Sequence, residues 1–165
     1  MMINAAGLHA LNIAHSQGLA TDYTMLPIKG RYAISKDPAM ADKYQTLVYP
    51  VPVDGNFALG VHSTLAVDGH VKLGPTVFPA FSPENYDYAD GINARGLVSS
   101  IRGYTRVLQS SKARGLAKLF LTKELRKSLS IEQLVKEAQG FQSLGDAPAS
   151  EIAKQFQFYR AGIRS

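Results

Sequence analysis

Apolar positions in the first half of the chain fall in short runs that are separated by proline, glycine and aspartate. Runs of this kind, when they are rich in β-branched and aromatic residues, predict strands joined by turns. Asp68 and Gly69 form the clearest turn, because the glycine can take the positive φ that a two-residue hairpin turn needs. Pro50 and Pro52 confine the run around them to a sheet edge or an extended segment. The four runs are PIKGRYAI (27–34), LVYPVPV (47–53), FALGVHSTLAV (57–67) and HVKLGP (70–75).

The pattern changes to helical spacing after residue 91. Residues 92–139 contain no proline, and their apolar residues recur every three or four positions, as on one side of a helix. Ser130 and Gln133 resemble a capping box that opens a helix. Shorter helices are predicted near residues 8–18 and 151–156, and a strand is predicted to begin close to the C-terminus. The two main stripes are Ile92, Leu97, Ile101, Tyr104 and Leu108, and then Leu116, Leu119, Phe120, Leu125 and Leu129.

Together these patterns predict an α+β fold, with a mainly antiparallel sheet and a helical layer from about residue 85 onward. The length of 165 residues suits one domain with a substantial core. Cysteine is absent, which excludes disulfides and thiolate chemistry and is compatible with a reducing cytosol. No apolar run approaches the roughly 20 residues of a membrane span, and the N-terminus lacks a signal-peptide pattern. A cytoplasmic protein is therefore expected.

The net charge of +5 raises the question of nucleic acid as a partner. Basic residues are concentrated between residues 95 and 127, where Glu124 is the only acid. Such a segment could follow phosphates, but more often it is the solvated side of helices, and no aromatic residues alternate with these cations in the way that base stacking requires. Charge alone argues for solubility rather than specificity. No nucleic-acid partner is expected. The cations are Arg95, Arg102, Arg106, Lys112, Arg114, Lys118, Lys123, Arg126 and Lys127.

His62 is the main candidate for chemistry. In a strand over this region, the period of two places His62 and Thr64 on one face, and a two-residue turn at Asp68-Gly69 pairs Thr64 with Leu73. That face would be an apolar floor with a few polar groups, as in many small-molecule sites. The alternative is a half-exposed sheet histidine that is bonded to a neighbour. The pattern alone leaves both open.

Other candidates carry weaker signals. His9 and His15 lack partners at metal-ligand spacing, so no metal site is expected. Lys29 and Gly30 could let the backbone approach a ligand, or they could mark a bulge. Arg164 could bind a carboxylate through its guanidinium fork. The sequence contains no nucleophile elbow and no glycine-rich phosphate loop.

The order of the motifs is more specific than any one of them. NAAG, P-x-KG-x-Y, YPVP, LGVHSTLAVDGHVKLGP and AGIR, in that order, resemble the FAD-dependent oxidoreductases of the D-amino-acid-oxidase superfamily, and within it the L-2-hydroxyglutarate oxidase/dehydrogenase branch. The resemblance implies oxidation of a small 2-hydroxy acid such as 2-hydroxyglutarate, with hydride transfer to the flavin.

The same resemblance assigns roles by position. His62 corresponds to the base that takes the hydroxyl proton. Thr64 and Tyr32 would contact the substrate, and Tyr32 would also lie near the flavin ring. Arg164, counted with the substrate-binding residues, would approach the flavin or the substrate carboxylate. The residues implied to lie near FAD are Asn4, Ala6 and Gly7 at the nucleotide, and Lys29 and Gly30 at the ring.

The sequence departs from the family at two places. Thr76 follows Pro75 where the family commonly has Asn, and the G-x-G-x-x-G stretch that holds the FAD pyrophosphate is absent from this sequence. The resemblance therefore implies an internal piece of a longer enzyme, and this chain alone is expected to retain FAD poorly or not at all. Residues 1–20 would be a remnant of the FAD-binding domain, 21–160 the substrate-binding domain, and 161–165 the return to the first. The alternative is a non-catalytic ligand-binding or interaction module with the same fold.

Overall fold

The computed structural model describes residues 3–44, 46–51, 60–87, 89–109, 114–115, 130–142 and 144–164. The α+β prediction is confirmed, because an open antiparallel sheet is combined with helices. The described residues group into two compact units. The first unit comprises those within 1–29, 79–117 and 162–165, and the second those within 30–78 and 118–161. The division at residues 20 and 160 that the family resemblance implies stays a prediction.

Five strands form one sheet. The sheet order is β2-β3-β1-β4, and β5 also pairs with β1. The predicted strands at 27–34 and after the Asp-Gly turn are confirmed, whereas the run at 57–67 is a strand only from His62 to Leu65, and residues 52–59 lie outside the described residues. The proline-containing run contributes Val48 as an isolated bridge to Ser63. The strands are β1 (Ile28–Ser35), β2 (His62–Leu65), β3 (Val71–Gly74), β4 (Phe78–Pro79) and β5 (Phe156–Arg164).

The register of the β2–β3 hairpin differs from the predicted one by one residue. Thr64 pairs with Lys72 rather than with Leu73, because the loop spans residues 67–69 instead of the Asp-Gly pair alone. The backbone N–H of Ala66 donates to the carbonyl of His70, and Gly69 takes φ +84° as the last loop residue. This is the three-residue hairpin loop with glycine in the left-handed region.

The helices fall close to the predicted positions. The C-terminal strand prediction is also confirmed, by β5. Ser130 is the N-terminal cap residue of α3, but its side chain makes no capping hydrogen bond, so the predicted capping box is wrong in that respect. The second apolar stripe, from Leu116 to Leu129, lies outside the described residues. The helices are α1 (Ala10–Ser16, after a 3₁₀ turn at Gly7–His9), α2 (Ala94–Gln109), α3 (Ile131–Gln139) and α4 (Ala149–Ile152, before a 3₁₀ turn at Ala153–Gln155).

The hydrophobic core lies in the second unit, between one face of the sheet and α3. Ala33, Val71 and Leu73 point to this face and are fully buried, and so are the residues of α3 that face them. Burying a valine or leucine side chain in this core stabilises the fold by about 1.5–3 kcal/mol. The sheet therefore has one face closed by α3, and the residues of the opposite face are available for other contacts. The core includes Ala33, Val71 and Leu73 from the strands, Val61 immediately before β2, and Leu134, Val135 and Ala138 from α3.

In the first unit, α2 packs through small residues. A Cβ on Gly96 would lie 2.5 Å from Cβ of Ser82, and a Cβ on Gly103 would lie 3.0 Å from Leu26. Ser100 and Gly103 are the buried residues of this helix. The predicted stripe keeps its helical spacing, but its aliphatic members are 36–51% exposed, because the contact face of α2 is the small-residue face. The aliphatic residues concerned are Ile92, Leu97, Ile101 and Leu108.

Tyr104 ties α2 to the segments beside it. Its hydroxyl donates to the carbonyl of Pro27 at 2.8 Å and lies 3.3 Å from that of Ala80. Burial raises the pKa of Tyr104 to about 12. The basic residues of α2 (Arg95, Arg102 and Arg106) are exposed, as expected of a solvated helix side. Within the described ranges, no helix combines the length and the apolar character that a bilayer crossing requires.

Candidate active site around His62

His62 begins β2 and is almost completely buried, with 6% of its surface exposed. Its neighbour Ser63 points to the helical side of the sheet, where the Ser63 hydroxyl donates to Gln142 at 2.7 Å. Because side chains alternate along a strand, His62 lies on the sheet face opposite α3. The ring is therefore neither turned out into bulk water nor packed beneath the helix. Thr64 shares the face of His62 and is half-buried.

Tyr32 reaches His62 across an intervening strand. The Tyr32 hydroxyl oxygen lies 3.4 Å from Nε2 of His62, and the two rings meet edge to face with centroids 5.9 Å apart. Between them lies Gly74, which pairs with His62 in the hairpin register. A Cβ on Gly74 would come within 2.9 Å of the Tyr32 ring. The glycine thus provides the space through which Tyr32 approaches the imidazole.

Tyr49 covers a face of the same imidazole. The Tyr49 and His62 rings are stacked, with centroids 4.4 Å apart and planes inclined by 24°. Offset stacking of this kind contributes about 0.5–1.5 kcal/mol beyond the area that it buries. The imidazole is therefore enclosed by two tyrosines from two different segments of the second unit.

The hydrogen bonds of His62 indicate its tautomer. Nδ1 lies 3.2 Å from the carbonyl oxygen of Gly60, and a carbonyl can only accept, so Nδ1 carries the proton. In the neutral ring, Nε2 then holds the lone pair beside the Tyr32 hydroxyl. Desolvation by burial lowers the pKa of His62 below its ordinary value of 6.5, and the bond to Gly60 opposes this in part. At neutral pH the ring is thus a neutral base, and Nε2 is the atom that can accept a proton.

The three predicted nucleotide-site residues form a turn before α1 in the first unit. The Asn4 amide donates to the carbonyl of Ala10 at 2.7 Å, and its oxygen accepts the backbone N–H of Ala6 at 3.3 Å. Gly7 has φ +52°, and a Cβ there would meet nothing within 4 Å. This turn is stabilised by its own side chain, and the backbone at Gly7 is open to an approaching group.

Lys29 makes a buried polar cluster in the first unit. Lys29 is 5% exposed. Its ammonium donates to the Asn85 side chain at 3.0 Å and to the backbone carbonyls of Asn85 and Asp87 at 3.3 and 2.6 Å. The Asn85 amide in turn donates to the carbonyls of Asp87 and Asp90. Through these bonds the Lys29 ammonium stabilises the loop after β4.

Gly30 is required by a close contact within the second unit. A Cβ there would lie 2.9 Å from Cβ of Pro75 and 3.1 Å from the carbonyl oxygen of Thr76. Thr76, at the position where the sequence departs from the family pattern, is fully buried and exchanges hydrogen bonds with the backbone of Arg31. The departure at Thr76 therefore has a structural use in joining β1 to the segment after β3.

The structure brings two of the predicted site residues, Tyr32 and His62, into contact, and Thr64 shares their sheet face. Arg164 lies in β5, and its side chain lies outside the described residues. Tyr49, Gly74 and Asn85 were missed by reasoning from sequence. The YPVP and GP motifs were recognised, but only their prolines were interpreted, and the adjacent Tyr49 and Gly74 were not.

The remaining histidine of the hairpin, His70, has a structural role. Its Nδ1 lies 2.8 Å from the carbonyl oxygen of Ser35 at the end of β1. His9 lies 3.4 Å from the exposed carboxylate of Glu84, a partner that the sequence did not indicate. Within the described part of the chain, no group of three or more His, Asp or Glu side chains is arranged to hold a metal ion.

Comparison with known proteins gives an independent observation. The mitochondrial L-2-hydroxyglutarate dehydrogenase of Caenorhabditis briggsae is 32% identical over 85% of this chain and 31% of its own length. L-2-hydroxyglutarate dehydrogenase of Indibacter alkaliphilus is 34% identical over 73% of this chain and 30% of its own length. The Escherichia coli K12 protein of that name is 28% identical over 95% of this chain and 40% of its own length.

This chain is related to the L-2-hydroxyglutarate dehydrogenases. The resemblance drawn from the order of the motifs is thereby confirmed. No protein-family model matches the chain. The chain spans about a third of the length of the curated relatives that it matches.

Proposed function

We propose that this chain is the substrate-side part of an FAD-dependent oxidoreductase that converts a 2-hydroxy acid, of the 2-hydroxyglutarate type, into the 2-oxo acid. The observation that carries the proposal is the state of His62. A buried imidazole with its proton fixed on Nδ1 and its lone pair on Nε2 is suited to removing a hydroxyl proton. The relationship to L-2-hydroxyglutarate dehydrogenases supplies the class of substrate.

In the proposed reaction, Nε2 of His62 accepts the proton of the substrate hydroxyl. The oxygen then forms a double bond to the α-carbon, which loses its hydrogen together with the electron pair of the C–H bond. A flavin held near Lys29 and Gly30 would supply the acceptor for this hydride. Tyr32 orients the hydroxyl beside Nε2, Thr64 helps to orient the substrate, and Arg164 approaches the flavin or the substrate carboxylate. Neutral His62 is the active form, so the rate is expected to fall when the ring becomes protonated.

The residues proposed to contact FAD fall into two groups, one at an open turn and one that offers only its backbone. Asn4, Ala6 and Gly7 fit a nucleotide, because Asn4 and Gly7 are exposed, Ala6 is half-buried and the backbone at Gly7 is open. Lys29 and Gly30 are proposed to lie near the flavin through their backbone, because the Lys29 ammonium is already engaged by Asn85 and Asp87. The division into residues 1–20, 21–160 and 161–165 and a cytoplasmic location belong to the same proposal.

The decisive test uses a polypeptide that joins this chain to a flavin-binding segment. His62→Ala is expected to lower kcat for L-2-hydroxyglutarate by about 10²–10⁴-fold, which is the usual contribution of a general base. Glu132→Gln, at an exposed ion pair with Lys136 on α3, is the matched control and should leave kcat unchanged. An unchanged kcat in His62→Ala would remove the assigned role. Without that segment, this chain is expected not to purify with stoichiometric FAD.

A second candidate is a ligand-binding or interaction module without catalysis. The exposed aliphatic stripe of α2 favours it, since monomeric proteins seldom leave such groups in water without a partner. The two candidates differ in the effect of His62→Ala. Loss of turnover supports the enzyme, whereas retained partner binding with no turnover in any joined form supports the module.

A further inference from the structure

Residues 48–50 run alongside the beginning of β2. Val48 and Ser63 exchange two backbone hydrogen bonds, of 3.2 and 3.0 Å, in an antiparallel bridge. One step along this register, Tyr49 lies opposite His62. In an antiparallel ladder, the pair next to a doubly bonded pair is the closer one, and its side chains share a face. The backbone therefore brings the phenol ring onto the imidazole.

The pairing of this segment ends immediately after Tyr49. Pro50 has no N–H to donate, and its ring packs so closely on Gly60 that a Cβ at position 60 would lie 2.7 Å from Cγ of Pro50. The N–H of Val61 instead donates to the carboxylate of Glu137 at 3.3 Å. Tyr49 is thus held between a bridge on one side and a proline contact on the other.

Exposure differs sharply between the two stacked rings. Tyr49 is 57% exposed, whereas His62 beneath it is 6% exposed. A large aromatic side chain that stays mostly in water while it stacks on a buried imidazole removes water from that imidazole. Tyr32 approaches the same ring at its edge, close to Nε2. The two tyrosines therefore have different relations to His62, one across its face and one at its reactive atom.

We propose that Tyr49 is a positioning residue, whose ring shields His62 from water and holds the imidazole with Nε2 directed at the Tyr32 hydroxyl. The inference rests on the proposed function only in treating His62 as the base. Removal of the Tyr49 ring should hydrate the imidazole and let it rotate. Both consequences can be measured in this chain without flavin or substrate.

The test compares Tyr49→Phe, Tyr49→Leu and Tyr49→Ala with the unaltered chain. The first readout is the rate at which diethylpyrocarbonate modifies His62, followed by mass spectrometry. The second is the His62 pKa and tautomer, from the imidazole NMR signals over a pH titration. Tyr159→Ala is the matched control, since Tyr159 is a 44% exposed tyrosine of the second unit whose ring contacts Lys72.

Tyr49→Phe keeps the ring and should behave as the unaltered chain does. Tyr49→Ala should be modified several-fold faster, and its His62 pKa should rise toward the ordinary 6.5 as water returns. Tyr49→Leu, which retains bulk without an aromatic face, should fall between them, and it replaces the alanine variant if that variant fails to fold by circular dichroism. Equal reactivity in Tyr49→Ala and the unaltered chain, or an equal increase in Tyr159→Ala, would overturn the proposal.

Failure of this proposal can be distinguished from failure of the proposed function. If His62 is shielded by Tyr49 but His62→Ala leaves kcat intact in the joined polypeptide, the base assignment fails and the positioning role stands. If His62 is essential but equally reactive with and without the Tyr49 ring, the base assignment stands and the positioning role fails.

Discussion

The hydroxyl oxygen of Tyr32 lies 3.4 Å from Nε2 of His62, although β3 runs between the strands that carry these residues. The contact exists because the intervening residue is Gly74, over which the Tyr32 ring lies. A single missing side chain in β3 therefore determines whether the hydroxyl can reach the proposed base.

Gly74→Ala is expected to lower the free energy of unfolding by about 1–3 kcal/mol and to separate Tyr32 from His62. The new Cβ would lie 2.9 Å from both the Tyr32 ring and the carbonyl oxygen of Arg31, and φ at this residue is +151°. Chemical denaturation and the His62 NMR signals measure the two effects. Gly162→Ala is the control, since a Cβ there meets nothing within 4 Å. Equal stability of the two variants would contradict the packing argument.

The stability of the fold should decrease on acidification because of His62. The pKa of His62 in the folded state lies below 6.5, its ordinary value in the unfolded state. Between these two pKa values the unfolded state binds more protons, so the free energy of unfolding decreases as the pH decreases. The contribution is complete above pH 6.5 and is lost as the pH falls through the folded pKa. His62→Gln should show a shallower decrease in urea titrations as the pH falls below 6.5. Parallel curves for the two proteins would show that the imidazole is not desolvated.

Lys29→Met is expected to destabilise the first unit by about 1.5–3 kcal/mol, because two buried acceptors on Asn85 and the part-buried carbonyl of Asp87 lose a charged donor. Thermal unfolding measures this effect. Lys36→Met removes an exposed ammonium that donates to the carbonyl of Lys154, and it should change stability by less than about 0.5 kcal/mol. If Lys29→Met were as stable as the control, the role of the ammonium in the loop would be wrong, and a direct contact with a ligand would become the better explanation.

Substitutions on α2 should reveal which of its sides is packed. Gly96→Ala replaces a poor helix former, and this change alone would raise the free energy of unfolding by about 1 kcal/mol. The variant should nevertheless be less stable than the unaltered chain, because the new Cβ would lie 2.5 Å from Cβ of Ser82. Ile101→Ser, on the exposed stripe, should change the free energy of unfolding by less than about 0.5 kcal/mol. Denaturant unfolding of both variants separates the two sides. A stabilised Gly96→Ala variant would refute the close contact.

Local sequence patterns predicted the positions of the strands and turns better than they predicted how the strands pair. The strand at 27–34 and the turn at Gly69 follow from β-type residues and a glycine that can take positive φ, and both are present. The hairpin register was wrong by one residue, because an Asp-Gly pair is compatible with both two- and three-residue loops. The alternation that separates His62 from Ser63 survived this shift, but the predicted apolar floor beside His62 is wrong. The β3 residues on the His62 face are Lys72 and Gly74, whereas Leu73 lies in the core on the other face.

Long-range contacts account for the rest. The partner of Lys29 is Asn85, 56 residues away, and no local pattern indicates which buried carbonyls a lysine will find. The apolar stripe on α2 has the spacing of a core face, but the helix packs through Gly96 and Gly103, whose value lies in allowing close approach. Tyr49 was overlooked because its importance comes from a two-bond bridge between segments that are distant in sequence.

The Val48–Ser63 bridge also affects how the sheet meets other proteins. β2 is the last strand of the β2-β3-β1-β4 path, and a bare last strand is a template on which a foreign chain can add. Here both outward backbone groups of Ser63 are already bonded to Val48, and the Val61 N–H is occupied by Glu137. At Val61 and Ser63 the outer edge of the hairpin is thereby protected against strand addition and the aggregation that follows from it.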